Sequence, residues 1–248
     1  MTGPAARNNT GHNMDYQKAL YLKVLRESKE EMEELILTEG FKKARFKILQ
    51  LLMKLRQICI DPSILYSNYK KESIKFEKLL EVVESYISEG HKILIFSSFK
   101  KVLDRVCKMF KKNKISNYMI AGDVKGKVRT ELVEKFNKDD TNCFLITLKA
   151  GGTGLNLTSA DVVIHLDIWW NPQVENQATD RAHRIGQKNK VTVIKMVTKG
   201  TIEERIIELQ NKKKILSDNL IEGKDNSEVL SSLSEKDIKN LLASGEDD

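Results

Sequence analysis

The stretch T-L-K-A-G-G-T-G-L-N-L (147–157), then D-V-V-I-H-L-D (161–167), I-W-W-N-P (168–172) and Q-A-T-D-R-A-H-R-I-G-Q (177–187), decides how this chain folds. The middle run is short and apolar, as a strand buried on both faces must be. A glycine-rich loop precedes it, and a proline suited to a first helical turn follows it. Outward from this segment the same alternation repeats. Ile93–Phe96, Tyr118–Ile120, Cys143–Ile146, Val162–Leu166 and Val191–Val197 read as strands. Between them, Val102, Leu103, Val106, Met109 and Phe110 mark one helical face, and Val128, Leu132 and Phe136 another. Strand alternating with helix predicts an α/β domain with a parallel sheet flanked by helices.

The flanks are helical. Residues 15–37 are charged, with Leu20, Val24, Met32, Leu35 and Ile36 available for packing. A second helix is predicted over 40–58 and ends at Asp61-Pro62, because the residue before proline is driven out of the α region. A third begins at Ser73, a good N-cap, presents Phe76, Leu79, Leu80, Val83 and Ile87, and stops at Gly90. Beyond 200, Thr201 and Glu204 form one capping pair and Ser234 and Asp237 another. Ile202, Ile206, Leu209, Leu216 and Leu220 form a stripe between them, and 223–227 reads as a linker. Residues 1–14 read as an appended leader and 15–72 as a helical segment. Residues 73–200 read as the α/β lobe and 201–248 as a terminal brace and tail.

Composition narrows the function. The chain has 248 residues and a net charge of +7, which fits either a lysine-rich solvated surface or a polyanion partner. Cys59, Cys107 and Cys143 form no C-x-x-C pair and no metal set with the histidines, so free thiols are predicted. No apolar run is long enough to predict a membrane span. A Walker A loop is missing, since Gly122 to Val128 is one residue short and ends in Val, and no D-E-x-H string offers Mg²⁺ ligands.

The unusual residues all follow strand ends, where open parallel sheets bind ligands. Gly151, Gly152 and Gly154 bare the backbone for phosphate contacts beside Lys149, although a tight turn uses the same residues. Gln177, Arg181 and Arg184 fall at i, i+4 and i+7, one helical face suited to polyphosphate; the bland reading pairs Asp180 with Arg184 on a wet surface. Trp169-Trp170 on a continuing strand would send one indole inward and present the other, suited to packing on nucleic acid, unless both belong to the core.

The segment 147–187 resembles motifs five and six of the Swi/Snf-type remodelling ATPases of helicase superfamily two. I-L-I-F-S-S-F (93–99) is similar to motif four, L-R-Q-I-C-I-D-P (55–62) to the segment before this lobe, and G-T-I-E-E-R-I (200–206) to the family's brace helix. Ile60-Asp61 and Ala121 depart from the family's Asn-His and acidic residue, and Trp169 adds a second tryptophan. The resemblance implies a second RecA-like lobe of a double-stranded DNA translocase. ATP with Mg²⁺ would be held mainly by an N-terminal lobe outside this chain. It implies Arg184 as arginine finger and Arg181 as a second phosphate contact, with Gln177 coupling nucleotide to the lobe interface. Gly152 and Gly154 would let the loop approach the cleft, and Lys149, Trp170, Ser97 and Ser98 would lie along DNA. The fragment alone would be inactive as an ATPase. Its partners would be duplex DNA, the N-terminal lobe and a DNA-bound protein target, in the nucleoid of a prokaryote or the nucleus of a eukaryote. The alternative is a non-catalytic nucleic-acid- or protein-binding module that keeps the fold.

Overall fold

The computed structural model describes residues 9–122, 124, 126–151, 155–182, 190–217 and 233–243. Arg184, Gly152, Gly154, Leu220 and the 223–227 linker therefore lie outside the described residues. The chain divides into two compact units. One takes the residues up to Glu77 and from Thr198 onward, the other Lys78–Val197.

The second unit is the predicted parallel sheet. Its strands are β1 (Ile93–Ser97), β2 (Asn117–Ile120), β3 (Cys143–Thr147), β4 (Val162–His165) and β5 (Thr192–Lys195), in the order β2-β3-β1-β4-β5. Ile93 is in register with Cys143 on one side and Val162 on the other, which makes β1 the centre. Every residue of β1, β3 and β4 is buried. That explains their unbroken apolar runs, since both sheet faces are covered. The edge strand β5 is shorter than 191–197, and Val193 on it is 42% exposed, as a strand with a single neighbour allows. Helix α4 (Lys100–Lys112) buries Val102, Leu103, Val106 and Phe110, while α5 (Gly126–Lys138) turns Val133 and Phe136 inward and leaves Val128 largely exposed. The predicted α5 face is thus displaced by part of a turn.

The first unit is built on helices α1 (Asn9–Glu39) and α2 (Phe41–Ile60), joined by Gly40 at a φ of 75° that side-chain-bearing residues rarely adopt. The helices run antiparallel, because Gln17 Nε2 donates to the Ile58 carbonyl at 2.8 Å. Asp61 ends α2 in extended conformation before a 3₁₀ turn at Pro62–Ile64, and its carboxylate accepts from the Ser63 N–H at 3.0 Å. Helix α3 (Ile74–Ser88) begins in this unit, continues into the second from Lys78, and is followed by Gly90, whose φ is 85°. Helix α8 (Ile202–Ser217) starts differently from the predicted box: Glu204 reaches back to the Gly200 N–H at 2.7 Å, and the Glu203 N–H donates to the Thr201 hydroxyl at 3.3 Å. The last helix among the described residues, α9 (Glu235–Leu241), carries the predicted Ser234–Asp237 capping box in full.

Candidate functional site

The three central strands end side by side. Ser97 on β1 is in register with Thr147 on β3, and Phe96 with His165 on β4. Their carboxyl ends feed the three segments in which the sequence concentrates its unusual residues. The Ser97 hydroxyl donates to Asp167 Oδ1 at 2.7 Å, and the Ser98 N–H donates to the same oxygen at 2.9 Å. The Phe99 N–H donates to the Ser97 hydroxyl at 3.2 Å. Asp167 thus clamps the end of β1 to the turn after β4, and both Ser97 and Asp167 are fully buried. A short helix α6 (Leu148–Gly151) follows β3 and carries Lys149 on its exposed side. A Cβ on Gly151 would come within 3.0 Å of the Phe96 ring, so this glycine serves close packing against β1.

After β4 the chain turns through Trp169-Trp170 into α7 (Pro172–Thr179), capped by Asn171, whose side chain accepts from the Gln173 N–H. Glu175 is fully buried and holds this turn from within. One of its oxygens accepts from the Trp169 N–H at 2.6 Å, the other from Lys195 of β5 at 2.5 Å. The helix ends at Thr179, and the next bonds tighten to i→i+3, from Arg181 N to Ala178 O and Ala182 N to Thr179 O. Arg181 Nε donates back to the Gln177 carbonyl at 2.9 Å, while the Arg181 carbonyl accepts from the Leu157 N–H at 3.1 Å. The segment just after the glycine loop is therefore hydrogen-bonded to the arginine segment. His165, buried against Phe96 with ring centroids 5.5 Å apart, meets the Thr179 hydroxyl at 3.1 Å. Burial, with the Lys195 charge adding, lowers its pKa to about 4 against the opposing pull of Asp167, so it is neutral at pH 7.

Residues 74–186 match the helicase conserved C-terminal domain. Among solved structures, the Sulfolobus solfataricus SWI2/SNF2 ATPase C-terminal domain superposes with a TM-score of 0.71 at 28% identity, covering 92% of each chain. This chain is a helicase C-terminal lobe of the Swi/Snf type. The Sulfolobus solfataricus SWI2/SNF2 ATPase core in complex with double-stranded DNA superposes with a TM-score of 0.73 at 30% identity, over 93% of this chain and 48% of that one. An uncharacterized ATP-dependent helicase of Mycoplasma pneumoniae is 44% identical over 186 residues, 73% of this lobe and 18% of that protein. The yeast nuclear protein STH1/NPS1 is 36% identical over 225 residues, 84% of this lobe and 16% of that protein. The lobe thus spans under a fifth of the length of either protein. Its sheet and flanking helices are the RecA-like α/β fold.

The residues expected at the site differ in exposure. Gln177 and Lys149 are exposed, Ser98 is half-buried, and Arg181 is 8% exposed. Arg184, Gly152 and Gly154 lie outside the described residues. Two of the residues expected along DNA are buried. Trp170 was expected to lie along DNA, yet it is 3% exposed, and Trp169 is the half-buried indole, packed on the sheet's core cluster. The strand ends at His165, so the pair sits in a turn and the strand rule of alternate faces does not apply. Ser97, also expected beside DNA, is buried with its hydroxyl donating to Asp167. The predicted face of Gln177 and Arg181 also differs, because the helix stops between them and they are joined through a backbone carbonyl. Sequence reasoning missed Asp167 and Glu175. Asp167 had one available signal, an acid directly after an apolar strand. Among the described residues no cluster of His, Cys, Asp or Glu can hold a metal ion, and no helix is long and apolar enough to cross a membrane.

Proposed function

We propose that this lobe completes the ATP site of a Swi/Snf-type duplex-DNA translocase whose N-terminal lobe lies outside this chain. The observation that carries the proposal is the hydrogen bond from Leu157 to the Arg181 carbonyl, which links the glycine loop's exit to the arginine segment. In this reading Arg184 contributes the finger to the γ-phosphate and Arg181 a second phosphate contact. Gln177 couples nucleotide to the lobe interface, and Gly152 and Gly154 let the loop approach. Lys149 and Ser98 lie on the DNA side. Phosphoryl transfer is dominated by positioning and charge stabilisation, so a guanidinium from a second lobe is sufficient for a large acceleration. Mg²⁺ ligation belongs to the N-terminal lobe, and the lobe alone turns over no ATP. The DNA-complexed Sulfolobus relative and the helicases among the curated relatives support the assignment.

The test joins this chain to its N-terminal lobe and changes Arg184→Ala. DNA-stimulated ATP turnover should fall about 10³-fold or more. Turnover near the parent level would refute the finger. Turnover by this chain alone would refute the half-site. A joined protein that binds DNA but turns over no ATP with Arg184 intact would favour the non-catalytic module.

A further inference from the structure

The net charge of this chain is concentrated on one helix. The chain holds 42 Lys and Arg against 35 Asp and Glu. Residues 100–114 hold seven of the bases and a single acid, Asp104, which leaves 35 against 34 elsewhere. Lys101, Arg105, Lys108 and Lys112 recur at i, i+4, i+7 and i+11, so they form one stripe along α4, and all four are exposed. The opposite side of the helix, Val102, Leu103, Val106 and Phe110, is sealed against the sheet. Among the described residues, Asp104 pairs with Lys100, and no carboxylate pairs with Lys101, Lys108 or Lys112.

Helix stability accounts for Lys112, in the last turn where the helix dipole favours cations, but not for the start of the stripe. Lys100 and Lys101 sit in the first turn, which has no acid, and there the helix dipole disfavours cations. The helix starts just after Ser98, at the carboxyl edge of the sheet, and runs back toward the other edge as a crossover to parallel β2 must. The stripe is therefore continuous with the proposed DNA edge and leads away from it. It spans 11 helical steps, about 16 Å at 1.5 Å per residue, an axial length over which duplex DNA carries on the order of ten phosphates.

We propose that the Lys101–Lys112 stripe is a second contact for the phosphate backbone of double-stranded DNA, extending the track beyond the strand-end loops. The proposal rests on the translocase reading above. Duplex is favoured over single strands because the stripe has no aromatic residue on which a base could stack. It is favoured over a membrane surface because the apolar face that would enter lipid is already committed to the sheet.

The test measures binding of the chain to a random-sequence 30-bp duplex across a salt series, comparing the parent with K101Q/K108Q/K112Q. Glutamine keeps the helix propensity, and circular dichroism checks the fold. A charge-matched control changes the exposed Lys18, Lys42 and Lys43 of the other unit to Gln. The stripe variant should lose about 10-fold or more in affinity near 100 mM salt, and its log–log salt slope should flatten by about 2–3, with little change in the control. Duplex binding unchanged in the stripe variant, or weakened equally in the control, overturns the stripe and leaves the ATP-turnover test untouched. No duplex binding by the parent overturns the stripe and the DNA part of the translocase reading together. Stripe-dependent binding to phosphatidylserine vesicles with duplex binding unaffected overturns DNA as the occupant.

Discussion

The two compact units bury polar groups in different ways. In the helical unit, buried side-chain bonds join segments far apart in sequence. Gln17 caps the end of α2, and the Tyr21 hydroxyl accepts from the Ile202 N–H at 2.7 Å. Lys75 pairs with Glu203 at 2.6 and 2.7 Å, with both side chains almost wholly buried. In the sheet unit, long-range order comes from the backbone ladders. Its buried polar bonds gather instead where strands end, at Ser97–Asp167, Thr179–His165 and Glu175–Lys195. The contrast teaches that buried charge in the helical unit works as a staple, whereas in the sheet unit it shapes the site's edge.

Removing a staple should have the largest effect. Glu203→Ala leaves the Lys75 ammonium buried without its partner and frees the Thr198 N–H, which now donates to Glu203 at 2.8 Å. Loss of one partner of such a pair costs about 3–5 kcal/mol. Urea unfolding followed by far-UV circular dichroism measures it. Both tryptophans lie at 169–170, so their fluorescence reports the sheet unit alone. Equal destabilisation by both probes would break the division between the units.

Acid should act on the sheet unit next. The folded state holds His165 neutral, with a pKa lowered from 6.5 to about 4 chiefly by burial. The unfolded chain binds the extra proton between those values. This contribution is thus complete above pH 6.5 and is lost as pH falls toward 4, about 3 kcal/mol in all. His165→Gln should flatten the pH dependence of the tryptophan-detected unfolding over that window. An unchanged pH profile would remove His165 as the cause.

The smallest effect is expected at Ser234. Its hydroxyl accepts from the Asp237 N–H at 3.1 Å at the start of α9, so Ser234→Ala should cost about 1 kcal/mol by circular dichroism and leave the tryptophan signal unmoved. Together with Arg184→Ala and the stripe variant, these changes separate fold from function.

Local chemistry made much of this legible. Strands β1, β3 and β4 stood out as apolar runs because both faces of a central parallel strand are dry. Gly90 and Asp61-Pro62 marked helix ends because their backbone preferences act within a residue or two. The Ser234 box was readable because its partners are three residues apart. The burial of Trp170 and Ser97 was not readable, since it depends on where a turn leaves the sheet and on Asp167, 70 residues from Ser97. Glu175 is buried beside a partner from another strand, since only the arrival of β5 brings Lys195 to it.

By itself, then, the sequence determined the family, the parallel α/β order and the identity of the arginines and glycines at issue, because motif spacing and hydrophobic period are local properties. Tertiary structure alone decided which side chains reach the edge. Helix α7 stops at Thr179, Asp167 draws Ser97 inward, and the indole of Trp170 is folded away. The Ser97–Asp167 and Leu157–Arg181 bonds join segments that the chain's own order keeps apart.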